Sequence, residues 1–247
     1  CFLDSNSNSE DSAFDYLFAF KKDKELLNPL FPFDSLKKFI DTHQDWIFGY
    51  LTYDLKNDIE KLTSKNGDYH SFPKLHFFVP EIIFKIKDCT LSVLYNPKYS
   101  ILEIDNLFNK INAITINETL INHVELKSRV SKEEYIRTIS SIKTHLQGGD
   151  IYEMNYCQEF YSDNLELDPF SLFTKLNNIS QAPFSAFYRI NNHFCLCSSP
   201  ERFLKKEANK IISQPIKGTI KSNNNMKNKN KFSLIWYILL SIVEISR

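Results

Sequence analysis

The 247-residue sequence has no excess of charge of either sign, because 30 lysine and arginine residues balance 30 aspartate and glutamate residues. Proteins that bind a nucleic-acid backbone or an anionic membrane surface usually carry a basic excess. The balance therefore argues against both as partners. Hydrophobic residues make up 43% of the chain and aromatic residues 14%, which is enough for a sizeable core in one large or two smaller globular units.

Disulfide and zinc signatures are also missing. The five cysteines are odd in number and form no CxxC pair, and the six histidines are scattered without helical or zinc-finger spacing. This pattern disfavours a zinc site, so any metal would be held by carboxylates. We interpret the cysteines as reduced thiols of a cytoplasmic protein.

Long apolar runs are scarce. The run Phe232–Val243 covers twelve residues, whereas a membrane-spanning helix takes about 20. Residues 1–20 lack the basic start and apolar stretch of a signal peptide. We therefore expect no membrane anchor, and we expect an incomplete N-terminus because the first residue is Cys1 rather than methionine.

The first half of the sequence predicts mostly sheet. A buried strand is expected at Trp46–Tyr53, broken at Gly49, where the missing side chain allows bending or close approach of another strand. The other strands expected here are Leu75–Val79 and the pair Glu81–Lys87 and Thr90–Tyr95.

The second half combines helices and strands. Ser131–Glu134 matches a capping box and predicts a helix that ends at Gly148-Gly149. Ile151–Phe160 alternates between two faces and predicts a strand. Asp168-Pro169 predicts the start of another helix, to about Ile179.

A hairpin is expected next. Its strands are Phe187–Ile190 and His193–Cys197, joined by Asn191-Asn192, because asparagine tolerates the positive φ of such a turn. A further strand is predicted at Lys210–Gln214.

Two short motifs follow predicted strands, where functional sites are common. Ser-Pro-Glu-Arg-Phe (199–203) contains Glu201, and Pro-Ile-Lys-Gly-Thr (215–219) contains Lys217. A lone lysine is usually a solvated surface charge, but the flanking proline and Gly218 would allow a ligand to approach the amine of Lys217. Glu201 equally fits an ion pair with Arg202 or a carboxylate at a helix start.

Together with residues 150–160 (DIYEMNYCQEF), these motifs resemble the chorismate-utilising enzymes, most closely aminodeoxychorismate synthase component I. Residues 46–58 and 182–187 resemble further parts of the same family. The resemblance implies an α+β fold in which antiparallel sheets pack as a sandwich flanked by helices, with the second subdomain incomplete. Residues 3–6 also resemble part of a tryptophan pocket found in some members, but four residues are too few to predict binding.

The resemblance also implies roles for individual residues. Lys217 would add to C2 of chorismate while Glu201 protonates the departing 4-hydroxyl. Asn155 would orient the ring, although a strand amide bonded to the backbone explains it as well. Anthranilate synthases generally carry alanine in place of Lys217, and isochorismate synthases carry a basic lysine in place of Asn155. The neighbouring substrate-binding residues would be Ile216, Gly218 and Thr219.

The implied reaction is amination of chorismate to 4-amino-4-deoxychorismate for folate synthesis. It would use Mg²⁺ and ammonia from a glutamine amidotransferase subunit. After Lys221 the likeness ends, and the glutamates that bind magnesium in the family are missing from this chain. We therefore expect a C-terminally truncated chain that turns over no chorismate alone.

The expected domains are an N-terminal component I domain (1–125), the first part of a chorismate-binding domain (126–222), and an aberrant low-complexity and apolar tail (223–247). Two alternatives stay open. One is anthranilate synthase component I, and the other is a non-catalytic remnant that binds the glutaminase or nothing.

Overall fold

The computed structural model describes residues 1–6, 12–64, 66–115, 124–163, 165–216 and 243–246. The chain forms two compact units. The first combines Cys1–Ile116 with Phe173–Arg247, and the second is Asn117–Leu172. The first unit therefore joins segments that are far apart in the sequence. The domain bounds expected from the sequence stay a prediction.

The main sheet of the first unit has seven strands, and all its pairs are antiparallel. They are β1 (Phe2–Asp4), β2 (Tyr16–Leu27), β3 (Phe48–Leu51), β4 (Leu75–Lys87), β5 (Thr90–Tyr95), β8 (Phe184–Ile190) and β9 (His193–Ser199). The spatial order is β3-β4-β2-β1-β8-β9, with β5 beside the C-terminal half of β4. The N-terminal strand β1 therefore lies between two strands from opposite halves of the chain.

The strand β4 corrects the prediction of two separate strands, Leu75–Val79 and Glu81–Lys87. It runs without interruption through Pro80, which pairs with Lys22 of β2 beside a shift in register between Lys22 and Lys24. Proline has no N–H to donate, so it fits such an irregular position. The predicted pairing of Thr90–Tyr95 with this strand is confirmed.

The strand β3 is shorter and more exposed than the buried strand predicted at Trp46–Tyr53. Only Phe48 of its four residues is buried, because β3 lies at the edge of the sheet. The predicted close approach at Gly49 is confirmed: a Cβ there would lie 2.2 Å from the carbonyl oxygen of His76.

A cluster of buried hydrophobic residues in this unit joins several strands of the main sheet. Its buried residues come from four strands, and they are Leu17, Ala19, Phe48, Phe78, Ile83, Tyr188 and Ile190. Full burial of an aliphatic or phenylalanine side chain stabilises a fold by about 1.5–3 kcal/mol. The core therefore ties β8 firmly to the N-terminal strands.

Within the described residues, the first unit contains the α-helices α1 (Pro32–His43), α2 (Ile101–Asn112) and, from Phe173 onward, α4 (Pro169–Ser180). A short 3-10 helix covers Tyr53–Asp58. The predicted start of α4 at Asp168-Pro169 is confirmed, since Asp168 Oδ2 accepts a hydrogen bond from the amide of Ser171 at 2.8 Å. Phe173 of α4 is buried and contacts the rings of Phe2 and Phe187 edge-on, which fixes the helix on β1 and β8.

The second unit contains α3 (Lys132–Gly148) and a two-stranded sheet of β6 (Lys127–Ser128) and β7 (Phe160–Tyr161). The predicted helix is confirmed at both ends. Ser131 Oγ accepts from the amide of Glu134, and Gly149 ends the helix with a φ of 81°. The predicted strand Ile151–Phe160 is wrong, because residues 151–159 form no strand and pairing begins only at Phe160.

The predicted hairpin is also confirmed. It consists of β8 and β9, and Asn191 has a φ of 51° in the turn between them. A small antiparallel sheet follows, made of β10 (Lys205–Glu207), β11 (Lys210–Ser213) and β12 (Val243–Ser246). The structure therefore has the predicted α+β class with antiparallel sheets.

Candidate functional site

Glu201 lies in the turn that leads from β9 to β10, as predicted for the first motif. The amide of Glu201 donates to Ser199 Oγ at 3.2 Å, and this hydroxyl donates to the carbonyl oxygen of Glu201 at 3.1 Å. The guanidinium of Arg202 lies over the ring of Phe184 at 4.8 Å. The turn is therefore closed by its own serine, while Arg202 packs back onto β8.

The side chain of Glu201 is exposed among the described residues. A carboxyl that acts as a general acid needs a sheltered position, which keeps its proton on at neutral pH. The described residues hold the backbone of Glu201 in place but provide no such shelter. Its role as an acid stays a prediction.

The second motif follows β11, as expected from the sequence. Ile216 is half-buried beyond the end of this strand. Lys217, Gly218 and Thr219 lie outside the described residues, and their roles stay predictions.

Asn155 lies in the second compact unit, whereas Glu201 and Ile216 belong to the first. Its side chain is exposed in the irregular segment 151–159. The neighbouring Tyr156 contacts the ring of Tyr135 on α3, with 5.3 Å between ring centroids. This ring contact, rather than strand pairing, holds the segment near α3. The role of Asn155 in orienting a substrate stays a prediction.

Metal ligands are not grouped in the part of the chain that the structure describes. No cluster of three or more histidine, cysteine, aspartate or glutamate side chains there could hold a metal ion. The use of magnesium stays a prediction. A search of the same residues finds no helix long and apolar enough to cross a membrane.

A cavity of about 460 Å³ lies past the start of β1, between β2 and β8. Aromatic rings of Phe18, Phe78 and Phe187 line it, and its polar lining includes Glu25 and His76. Of the predicted site residues that the structure describes, neither Glu201 nor Asn155 nor Ile216 lines it.

A chain of polar side chains runs from this cavity into the core. The Nε2 atom of His76 is 3.0 Å from the Glu25 carboxylate, and Nδ1 is 2.7 Å from the hydroxyl of Tyr188. A carboxylate only accepts, so Nε2 carries the hydrogen and the Tyr188 hydroxyl donates to Nδ1. Lys22 completes the chain with a 2.6 Å ion pair to Glu25.

Burial shifts the pKa values of these hydrogen-bonded side chains. It lowers the pKa of His76, although the nearby Glu25 carboxylate opposes the shift. Burial raises the pKa of Tyr188, and it raises the pKa of Tyr50, whose ring packs edge-on against Tyr188, to about 12. The group is therefore neutral at its buried end and charged near the surface.

Sequence reasoning missed this group because nothing local identifies it. His76 lies in the apolar run LHFFVP, and its partners are 51 and 112 residues away in the sequence. Only the order of the main sheet, in which β2 pairs with β4 and β1 pairs with both β2 and β8, brings the three side chains together.

Residues 5–233 match the family described as chorismate binding enzyme. Several curated relatives are aminodeoxychorismate synthases. The putative aminodeoxychorismate synthase of Schizosaccharomyces pombe is 35% identical over 102 residues, which is 41% of this chain and 14% of the relative. Aminodeoxychorismate synthase component 1 of Klebsiella aerogenes is 37% identical over 94 residues, 38% of this chain and 21% of the relative.

Anthranilate synthases match more of the chain at lower identity. The alpha subunit 1 from Arabidopsis thaliana chloroplasts is 24% identical over 208 residues, 73% of this chain and 35% of the relative. The crystal structure of anthranilate synthase component I from Streptococcus pneumoniae superimposes with a TM-score of 0.70 at 17% identity, over 94% of this chain and 58% of that chain. The chain thus spans well under half the length of these curated relatives, and the structural match confirms the fold.

Proposed function

The chain belongs to the chorismate-binding enzymes, and from this premise we propose that the protein aminates chorismate at C4 to give 4-amino-4-deoxychorismate. The observation that carries the proposal is Lys217, which stands in Pro-Ile-Lys-Gly-Thr sixteen residues after Glu201. An amine at this position supplies a nucleophile that the alanine expected in an anthranilate synthase lacks. The similarity to aminodeoxychorismate synthases supports the same choice.

The proposed reaction has two displacements. The neutral amine of Lys217 adds to C2 of chorismate, both conjugated ring double bonds shift by one position, and the C4–O bond breaks while Glu201 protonates the departing hydroxyl. Ammonia then adds at C4, both double bonds return to their original positions, and the bond from C2 to lysine breaks so that the electron pair goes back to nitrogen. A proton from the new amine restores the Glu201 carboxyl. The sum converts chorismate and ammonia into aminodeoxychorismate and water.

The other site residues have supporting roles in this proposal. Asn155 orients the ring by hydrogen bonding. Small or apolar neighbours of the lysine let the ring approach the amine, and they are Ile216, Gly218 and Thr219. A glutamine amidotransferase subunit supplies the ammonia. Bound magnesium would neutralise the substrate carboxylates.

Complementation tests the proposal in living cells. The gene that carries this sequence is expressed in a bacterium that lacks its own aminodeoxychorismate synthase component 1, and growth is followed without para-aminobenzoate. We expect growth with the whole gene and no growth with residues 1–247 alone. In the whole gene, we expect loss of growth in Lys217→Ala and Glu201→Gln and unchanged growth in the control Lys221→Ala. Growth that is insensitive to Lys217→Ala would contradict the mechanism.

Analysis of the reaction product distinguishes the proposed activity from the first alternative, which is anthranilate synthase. Anthranilate synthase activity is favoured by the larger share of this chain that anthranilate synthases match. The purified protein is incubated with chorismate, ammonium and Mg²⁺, and the products are separated by liquid chromatography and mass spectrometry. Aminodeoxychorismate supports the proposal, whereas anthranilate overturns it.

A non-catalytic remnant is the second alternative, and the exposed position of Glu201 favours it. Such a protein would form neither product and would leave the auxotroph unrescued, at any concentration of ammonium.

A further inference from the structure

A buried polar cluster connects β1 and α4 to the end of β9. We name it the asparagine clasp, and its members are Asp4, Asn6, Asn177, Ser185 and Ser198. The side chains of Asp4, Asn177 and Ser185 are 7%, 9% and 1% exposed. Buried polar groups of this kind cost free energy unless they are hydrogen-bonded, so their partners matter.

The first part of the clasp joins β1 to α4. Asn177 Nδ2 donates to Asp4 Oδ2 at 2.7 Å, and the backbone amide of Asn6 donates to Asp4 Oδ1 at the same distance. Asn6 Nδ2 also donates to Asn177 Oδ1 at 2.8 Å. Each carboxylate oxygen of Asp4 thus has a donor, and the two amides are fixed in one orientation.

The second part passes from Asn6 to the hairpin of β8 and β9. Asn6 Nδ2 lies 2.8 Å from the carbonyl oxygen of Ala182 and 3.2 Å from Ser185 Oγ. Ser185 is paired with Ser198 across the two strands, and their hydroxyl oxygens are 3.2 Å apart. The hydroxyl of Ser180, near the end of α4, lies 2.5 Å from Ser198 Oγ. Ser198 is therefore held from both α4 and β8.

Ser198 connects the asparagine clasp to the turn that carries Glu201. Ser198 precedes Ser199, whose hydroxyl closes the turn around Glu201. The clasp anchors one end of this turn, while the turn's own serine sets its shape. We propose that Asn177 is a positioning residue, which acts through Asn6, Ser185 and Ser198 to hold the turn that carries Glu201. The inference rests on the proposed function of Glu201, but the effect on the turn can be measured without turnover.

The inference can be tested by exchanging the carboxylate of Asp4 and the amide of Asn177. In Asn177→Asp, a second carboxylate faces Asp4, so the bond between them is lost and two buried charges repel. In the double variant Asp4→Asn with Asn177→Asp, one donor and one acceptor face each other again. The oxygen of residue 4 still accepts from the Asn6 amide, and that of residue 177 still accepts from Asn6 Nδ2. Asn178→Asp is the matched control, because Asn178 is exposed on the same helix.

The measurement is backbone amide hydrogen exchange of Ser199 and residues 201–204, because Pro200 has no amide hydrogen, compared with residues 82–86 in the middle of the sheet. We expect Asn177→Asp to accelerate exchange at Ser199 and Glu201 about tenfold, as loss of a buried partner implies. The double variant should return exchange to within about twofold of the parent protein, and Asn178→Asp should leave it unchanged.

A second variant guards against simple loss of folding. Ser198→Ala removes the hydroxyl contacts of residue 198 with Ser185 and Ser180, and it leaves the pair of Asp4 and Asn177 intact. We expect faster exchange at Ser199 and Glu201 with unchanged exchange at 82–86. If Ser198→Ala leaves the turn unaffected, or if all variants accelerate both regions equally, the clasp merely supports the fold and the inference is wrong.

The kinetic constants for chorismate distinguish a positioning role from a purely structural one. In the protein that complements the auxotroph, Asn177→Asp should lower kcat about tenfold with KM for chorismate unchanged, and the double variant should restore kcat. A change in KM alone would overturn the positioning role. If the parent protein forms no product, the proposed function fails, while the exchange experiment still decides whether the clasp holds the turn.

Discussion

At the scale of single residues, Gly49 allows the edge strand β3 to lie close against β4. A Cβ at this position would meet the carbonyl oxygen of His76 at 2.2 Å and the ring of Phe77 at 2.4 Å. We expect Gly49→Ala to lower the free energy of unfolding by about 1–3 kcal/mol, because overpacking forces the strands apart. Urea denaturation would measure the change.

Gly148 provides the control for this substitution. It is the last residue of α3, and the nearest atom to an added Cβ, Asp150 Oδ2, is 3.7 Å away. Gly148→Ala should be neutral or stabilise by up to about 1 kcal/mol, because alanine favours helix. Equal effects of the two substitutions would show that crowding at Gly49 is unimportant.

At the scale of secondary-structure elements, α2 depends on a reciprocal cap. Ser100 Oγ accepts from the amide of Glu103, and the Glu103 carboxylate accepts from the amide of Ser100 at 2.8 Å. We expect Ser100→Ala to destabilise the protein by about 1 kcal/mol, since an amide at the helix start loses its partner. Urea denaturation and amide exchange within α2 would detect it.

Two further variants make this prediction specific. Ser100→Gly should cost only a few tenths of a kcal/mol, because glycine is itself acceptable before a helix. Ser92→Ala, at an exposed position of β5, should leave stability unchanged. Similar losses in Ser92→Ala and Ser100→Ala would contradict a capping effect.

The segment Ile151–Phe160 shows why an element cannot always be predicted from alternation. Its pattern suits a strand, yet Tyr152 is 94% exposed and only Phe160 joins a ladder. A strand forms where another strand offers hydrogen bonds and a face to bury, and alternation records neither. The helix starts predicted at Ser131 and Asp168 are confirmed, because each depends on residues within one turn. At Ser131 the structure shows one half of the predicted capping box, the bond from the Glu134 amide to the serine hydroxyl.

At the scale of the whole molecule, the buried polar chain of His76 links β2, β4 and β8 and should make stability depend on pH. Burial lowers the pKa of His76, so the unfolded chain takes up a proton at a higher pH than the folded protein. Stability should therefore be greatest above the ordinary histidine pKa of 6.5 and should fall as the pH decreases below it.

Glu25 adds a second loss at lower pH. The hydrogen bond from Lys22 lowers the pKa of this carboxyl most strongly, with a smaller contribution from His76. Its stabilising effect is present above its ordinary pKa of 4.5 and is lost as the pH falls through its lowered value. The two groups therefore act in the same direction over successive ranges of pH.

The test is the free energy of unfolding from urea denaturation between pH 5 and 8. His76→Gln should flatten the decline below pH 6.5 and should cost about 1–3 kcal/mol at pH 7, because Tyr188 and Glu25 lose their partner. His70→Gln, in an exposed loop, should keep the decline. A decline that persists in His76→Gln would assign the pH dependence to other groups.

The sequence by itself determined the features that depend on near neighbours. These include the caps at Ser131 and Asp168, the hairpin turn at Asn191, the need for glycine at residue 49, and the motifs around Glu201 and Lys217 that identify the family. A cap or a turn is set by atoms a few residues apart, and a motif is visible as a string of letters.

Only the tertiary structure decided which distant residues meet. The insertion of β1 between β2 and β8 places Asp4 beside Asn177 and makes β8 the support of both His76 and the turn of Glu201. Such pairings join positions more than 100 residues apart, and they are selected by the combined burial and hydrogen bonding of the whole sheet rather than by any local pattern.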